Sequence, residues 1–137
     1  MNKPDLKKSV EKLLEDIATL TRSKTFDINK NFDLKTKRLA DDPEDPNNNF
    51  NTMLALGYEP EDVLEEIKSL TLNDFYRIKD DYKQGRTKPF FEFIKVIYGR
   101  QIYIKIKMHE IKKETILCVS FHFQDQYIND SRFPFRK

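Results

Sequence analysis

Five side chains from three stretches carry the chemistry this sequence offers: Arg77, Tyr103, Lys105, Lys107 and His122, joined by Tyr76, Lys79 and Glu92. An imidazole takes or gives a proton near neutral pH. A phenol donates a proton or a hydrogen bond, and a guanidinium grips phosphate with a bidentate fork. Metal-independent RNA cleavage needs such a set. One group takes the 2′-OH proton, cations hold the charged phosphorane, and an acid protonates the leaving 5′-oxygen. Each residue also has a plainer reading: a sheet-surface His without a role, a strand Tyr that packs, a helix-end Arg that caps carbonyls or pairs with an acid.

The elements that must position them follow from periodicity. Ile102, Ile104, Ile106 and Met108 alternate with Gln101, Tyr103, Lys105 and Lys107, the period-2 signature of a half-buried strand. Leu117, Val119, Phe121 and Phe123 alternate in the same way with Ile116, Cys118, Ser120 and His122. His109 to Glu114 join the two runs, too short a link for a parallel crossover, so the pair is an antiparallel hairpin. If both apolar faces meet one core, parity fixes the register. Centring the hairpin near residues 111 and 112 sets Tyr103 opposite Ser120, Lys105 opposite Cys118 and Gln101 opposite His122. Tyr103 and His122 are then diagonal neighbours on the polar face, Cα atoms roughly 7–8 Å apart. Cys118 and His122, four residues apart on one strand at ~3.3 Å each, are too distant for a nucleophilic dyad.

Composition narrows the classes. The chain has 137 residues, 35% of them charged, with eleven Phe and six Tyr to build one core, so we read residues 1–137 as a single domain. No apolar run approaches a membrane span, and no signal-peptide pattern opens the chain. The lone Cys118 forms no internal disulfide, which fits a cytoplasmic location. Three glycines, at 57, 85 and 99, supply no phosphate-cradling loop, and two histidines with one cysteine give no zinc spacing. No metal or cofactor is therefore expected. The net charge of +2 hides an asymmetry: residues 1–70 carry 11 basic and 15 acidic side chains, residues 71–137 carry 14 and 8. The sheet half is the electropositive one, as a phosphate-binding surface requires.

Leu6, Val10, Leu13, Leu14, Ile17 and Leu20 place an amphipathic helix over residues 5–20. Residues 22–45 read as a short strand or turn followed by an irregular, exposed loop ending in DDPEDP, whose acids match no calcium-loop spacing. Short helices are expected over 47–56, stopped by Gly57, and from Pro60 through a stripe of Val63, Leu64, Ile67 and Leu70. A capping-box-like Thr71–Asp74 predicts a further helical turn carrying Phe75, Tyr76 and Arg77. Phe90 to Tyr98 is a third strand, and residues 124–137 form a C-terminal tail that adds an edge strand or lies across the sheet. The class is α+β: an antiparallel sheet with helices on one face.

Three segments then resemble a known family. LALGYEPEDVLEEIKSLTLNDFYR (54–77), GRQIYIKIKM (99–108) and CVSFH (118–122) are similar in order and spacing to the MqsR family, toxins of type II toxin–antitoxin modules with a RelE-like fold. The resemblance implies a metal-independent, sequence-selective mRNA endoribonuclease held inactive by a cognate antitoxin carrying a helix-turn-helix domain. It implies functional roles for the basic residue after the Phe-Tyr pair, the Tyr of the Tyr-Ile-Lys strand and the basic residue after Val-Ser-Phe. Here these are Arg77, Tyr103 and His122. Lys105, Lys107, Lys79 and Tyr76 are read as RNA- or phosphate-binding. Glu92 stands nearest to a Gln that better-known members use. A carboxylate there repels RNA unless it is paired or acts as a base. The alternative reading is a non-catalytic RNA- or protein-binding module of the same fold.

Overall fold

A computed structural model describes residues 1–38 and 40–136. Helix α1 runs Lys3–Arg22, a residue or two beyond the expected span at each end. The Asn2 side chain accepts the Asp5 N–H at 2.9 Å and a proline lies in the first turn. Its Val10, Leu13 and Ile17 are buried, contributing roughly 1.5–3 kcal/mol each. Helix α3 (Asn49–Leu56) is capped by Asn48 and stopped by Gly57 at φ 70°, the left-handed conformation a glycine adopts without strain. Helix α4 (Pro60–Lys68) opens on a capping box between Glu59 and Asp62 and buries Val63, Leu64 and Ile67.

Within residues 22–45 lie a single helical turn α2 (Ile28–Asn31) and a three-residue strand β1 (Phe32–Leu34), where a short strand or turn ahead of the loop is expected. Strands β2 (Phe75–Lys79), β3 (Phe90–Ile97), β4 (Arg100–Met108) and β5 (Ile116–Phe123) complete one sheet in the order β1-β5-β4-β3-β2. The α+β class holds, with one correction. β1 lies parallel to β5, so the sheet is mixed rather than antiparallel throughout.

One face carries the main core. Val10, Leu13 and Ile17 of α1, Met53 of α3 and Val63, Leu64 and Ile67 of α4 meet Phe93, Ile102, Ile104, Ile106 and Phe121 there. Below β1, α3 closes the open edge of β5 with side chains. Asn49 Oδ1 accepts the Phe121 N–H (3.1 Å), and Thr52 Oγ1 accepts the Phe123 N–H (3.1 Å). Asn49 Nδ2 donates to the carbonyls of Lys35 (2.8 Å) and Val119 (2.9 Å). These bonds satisfy backbone groups that an edge strand otherwise leaves open.

The C-terminal tail folds around the β2 edge instead of adding a strand. Phe133 tilts against Tyr76 on the polar side, ring centroids 5.7 Å apart, while Phe135 stacks on Phe75 at 5.9 Å beside the main core. Arg136 Nε donates to the Asn73 carbonyl and fastens the end. Among the described residues no helix is long and apolar enough to cross a membrane.

Candidate functional site

The polar face of the sheet is built from two rows running across the strands. Arg77, Glu92, Lys105 and Ser120 are successive partners on β2, β3, β4 and β5, and Ile94, Tyr103 and His122 form the next row. Tyr103 and His122 therefore face each other directly, not diagonally, with ring centroids 5.0 Å apart. A β-bulge supplies one residue of this two-residue shift, and a turn centred half a residue later than expected supplies the other. Lys105 pairs with Ser120 but Ile106 with Cys118, which leaves Val119 without a partner. The bulge also inverts the expected faces beyond it: Ile116 and Cys118 join the core, and Leu117 lies opposite Lys107.

Arg77 is a strand residue, which corrects the expected helix. The helical turn ends at Asp74, and β2 begins at Phe75. A second irregularity sits between Phe75 and Arg77, since these two pair with adjacent Phe93 and Glu92. It brings Tyr76 and Arg77 together, with the guanidinium carbon 4.8 Å from the Tyr76 ring centroid.

Glu92 organises the face. Its carboxylate is buried, at 1% exposure, and accepts Arg77 Nε on Oε1 at 2.6 Å and the Tyr103 hydroxyl on Oε2. A buried carboxylate is tolerated when its lone pairs are filled in this way. The charge that would repel an RNA phosphate is thereby spent on holding two neighbours still. The Arg77 side chain remains about half exposed, so its terminal nitrogens stay open to a ligand. Burial, the hydrogen bond to Glu92 and its charge raise the Tyr103 phenol well above its ordinary value, against the opposing charges of Arg77 and Arg38. The phenol is therefore neutral throughout the physiological range and acts as a donor, not as a phenolate.

His122 is half-buried, and its Nδ1 lies 2.9 Å from the Phe123 carbonyl oxygen. A carbonyl only accepts, so this contact assigns the hydrogen to Nδ1 and leaves Nε2 as the free acceptor of the neutral ring. Lys105 is half-buried over the Phe90 ring, 4.9 Å from its centroid. Burial lowers its ammonium below the ordinary lysine value, against the pull of Glu92 and Asp81 and with the charges of Arg38 and Lys79 acting in the same direction as burial. An incoming anion relieves that crowding. Lys79 is exposed beside it.

Two expected phosphate binders are placed otherwise. Lys107 is 3% exposed, its Nζ held by Asp81 Oδ2 (2.8 Å), the Lys88 carbonyl (3.1 Å) and Glu110 Oε1 (3.5 Å). That ammonium ties the loop after β2 to the hairpin and presents no charge to solvent. Tyr76 is buried under Phe133, and its hydroxyl accepts Arg132 Nη2 at 3.0 Å, so it forms a floor beneath Arg77. Cys118, expected on the polar face, is fully buried in the core with its thiol pushed up to about 12, because the bulge turns it away from His122. Sequence reasoning missed Arg38, from the loop after β1, whose charge reaches both Tyr103 and Lys105. No periodic signal marks that loop. Among the described residues no group of three or more His, Cys, Asp or Glu is arranged to hold a metal ion.

Fold and face together define an α+β domain whose polar sheet surface gathers a Tyr–His pair, a fixed guanidinium and a crowded ammonium. A family model described as the motility quorum-sensing regulator, toxin of MqsA, matches residues 33–123, two thirds of the chain. The chain belongs to that family, the MqsR toxins, and is thus a toxin of a toxin–antitoxin module with an MqsA-type antitoxin as its partner. No curated protein and no solved structure matches it.

Proposed function

We propose that this toxin is an endoribonuclease that cleaves mRNA in the cytoplasm without a metal ion. The observation that carries the reading is the direct pairing of Tyr103 with His122 beside the Arg77–Glu92 couple. His122 Nε2 takes the proton of the ribose 2′-OH, and the 2′-oxygen attacks phosphorus. The phosphorane charge falls on Arg77 and Lys105, and the bond from phosphorus to the 5′-oxygen breaks. That oxygen needs a proton on the far side of phosphorus, which the Lys105 ammonium supplies, while Tyr103, its hydroxyl held by Glu92, orients the His122 ring. The products are a 2′,3′-cyclic phosphate and a free 5′-hydroxyl. Glu92 touches no substrate. It is a positioning residue, acting through Arg77 and Tyr103.

Induced expression is expected to arrest growth, and co-expression of the antitoxin to rescue it. His122→Ala and Tyr103→Phe are expected to remain folded by circular dichroism and to lose toxicity. Full toxicity in both variants rejects the residue assignment. A second reading, a binding module that holds RNA without cutting it, is favoured by the modest net charge of +2 and the buried carboxylate. It predicts salt-sensitive RNA binding with no cyclic-phosphate product.

A further inference from the structure

The loop after β1 and α3 enclose a pocket of about 220 Å³, whose lining includes Lys37, Arg38, Asn48, Phe50 and Asn51, with one acid, Asp41. That acid already accepts the Arg38 backbone N–H at 3.0 Å, and two lysine or arginine charges face it. The walls are held by short-range bonds. Asn48 Oδ1 accepts the Asn51 N–H at 2.7 Å, and Asn51 Nδ2 donates to the carbonyls of Pro43 (3.0 Å) and Asp45 (2.8 Å). Phe50 is a large apolar side chain left 41% exposed, with Lys37 Nζ 4.4 Å from its ring centroid.

An exposed aromatic ring, paired cations and a small cleft are the parts with which proteins hold one unpaired nucleotide: the base stacks and the phosphate meets the charges. The volume is below the range of sites for larger organic ligands, about 300–1,000 Å³, and suits a single base. Arg38 is shared between the pocket and the electrostatics of the sheet face: it lines the pocket and at the same time acts on Tyr103 and Lys105.

We propose that this pocket is a single-stranded RNA subsite for a nucleotide flanking the scissile phosphate, with the base against Phe50 and its phosphate on Arg38 and Lys37. The proposal rests on the endoribonuclease reading of the sheet face and extends the RNA path from Lys105 toward α3. Lys37 leaves the ring face for the phosphate when the base enters.

The test uses the full chain and a short mixed-sequence 2′-O-methyl oligoribonucleotide, which binds but has no free 2′-OH to attack. Fluorescence anisotropy across a salt series gives affinity and slope. Phe50→Ala is expected to lose about tenfold in affinity, with the slope against salt preserved, because stacking carries no charge. Arg38→Gln is expected to flatten the slope by about 0.7, the value for one phosphate contact on a single strand. Thermal melts of both variants are expected to match the wild type, since both side chains are exposed. With cleavable RNA, Phe50→Ala is expected to alter base preference at one position beside the cut. Unchanged affinity, slope and preference in both variants, beside a loss in Lys105→Ala, overturns the subsite while the sheet-face reading stands. A wild type that does not bind the oligonucleotide overturns both. Loss of antitoxin binding in Phe50→Ala with unchanged RNA affinity also overturns it, because the pocket then serves a protein partner.

Discussion

Replacing Lys107 with methionine keeps the long apolar stem and removes only the ammonium, which separates two roles that the sequence does not distinguish. In the structure that ammonium is 3% exposed, and its partners Asp81 and Glu110 are 7% and 11% exposed. Taking one member out of a buried ion pair strands the other charges, at a cost of 3–5 kcal/mol in comparable cases. Asp81 sits on a loop that can open to water, so the lower end applies, about 3 kcal/mol. For a 137-residue domain this lowers the melting temperature by roughly 10 °C. The pH dependence follows from the same contacts. Burial pushes the Asp81 carboxyl up, but hydrogen bonds from Lys107 and the Lys83 N–H outweigh it and hold it below its ordinary value. The unfolded chain then binds protons more readily than the folded one. This stability is complete above the ordinary carboxylate value of about 4 and drains away as pH falls through the lowered folded value. Lys107→Met should therefore lose more stability at neutral pH than in acid. Calorimetric melts over a pH series, with RNA binding across a salt series, give both readouts. Melting at the wild-type temperature with a flattened salt slope would refute the structural role and return Lys107 to phosphate binding.

Three further outcomes follow from the same contacts. Glu92→Gln should fold, since its amide oxygen still accepts the Tyr103 hydroxyl, but the amide group now meets Arg77. Cleavage is expected to drop about tenfold, equivalent to about 1.4 kcal/mol, with less than half of that in unfolding free energy because Arg77 is half exposed; unchanged cleavage kinetics would dismiss Glu92 as a positioning residue. Asn49→Ala removes the side-chain bonds to Lys35, Val119 and Phe121, and should cost about 1–3 kcal/mol in urea unfolding while hydrogen exchange quickens at Phe121. Cys118, fully buried with its thiol pushed up to about 12, should resist a thiol reagent at pH 8 until the protein unfolds; rapid labelling of the native chain would contradict that burial.

The long periodic segments were legible because many residues vote for each. The stripe of α1, the capped start of α4 and the alternation in β4 all resolve as expected. The failures share a physical cause. Ile116, Leu117, Cys118 and Val119 are apolar at both parities, so no pattern marked Val119 as the bulged residue, and the register came out shifted. β1 is three residues long, below the reach of any periodicity, and its parallel pairing joins residues more than eighty positions apart. Phe75 to Lys79 followed a capping signal and was read as its continuation, though that turn ends at Asp74. The chemistry-bearing face was legible as residue types, with Tyr103 and His122 on one side. The burial of Lys107 was not, because it depends on where Asp81 and Glu110 return in space. The same holds for Arg38, delivered from an aperiodic loop.

The central claim is that this MqsR-family toxin cuts RNA with its own side chains. Incubating the purified chain with end-labelled mRNA in excess EDTA, and resolving the product ends, tests it most directly. The account predicts discrete fragments bearing 2′,3′-cyclic phosphate and 5′-hydroxyl ends, lost in His122→Ala. Intact RNA under these conditions, or cleavage that persists undiminished in His122→Ala, would contradict it.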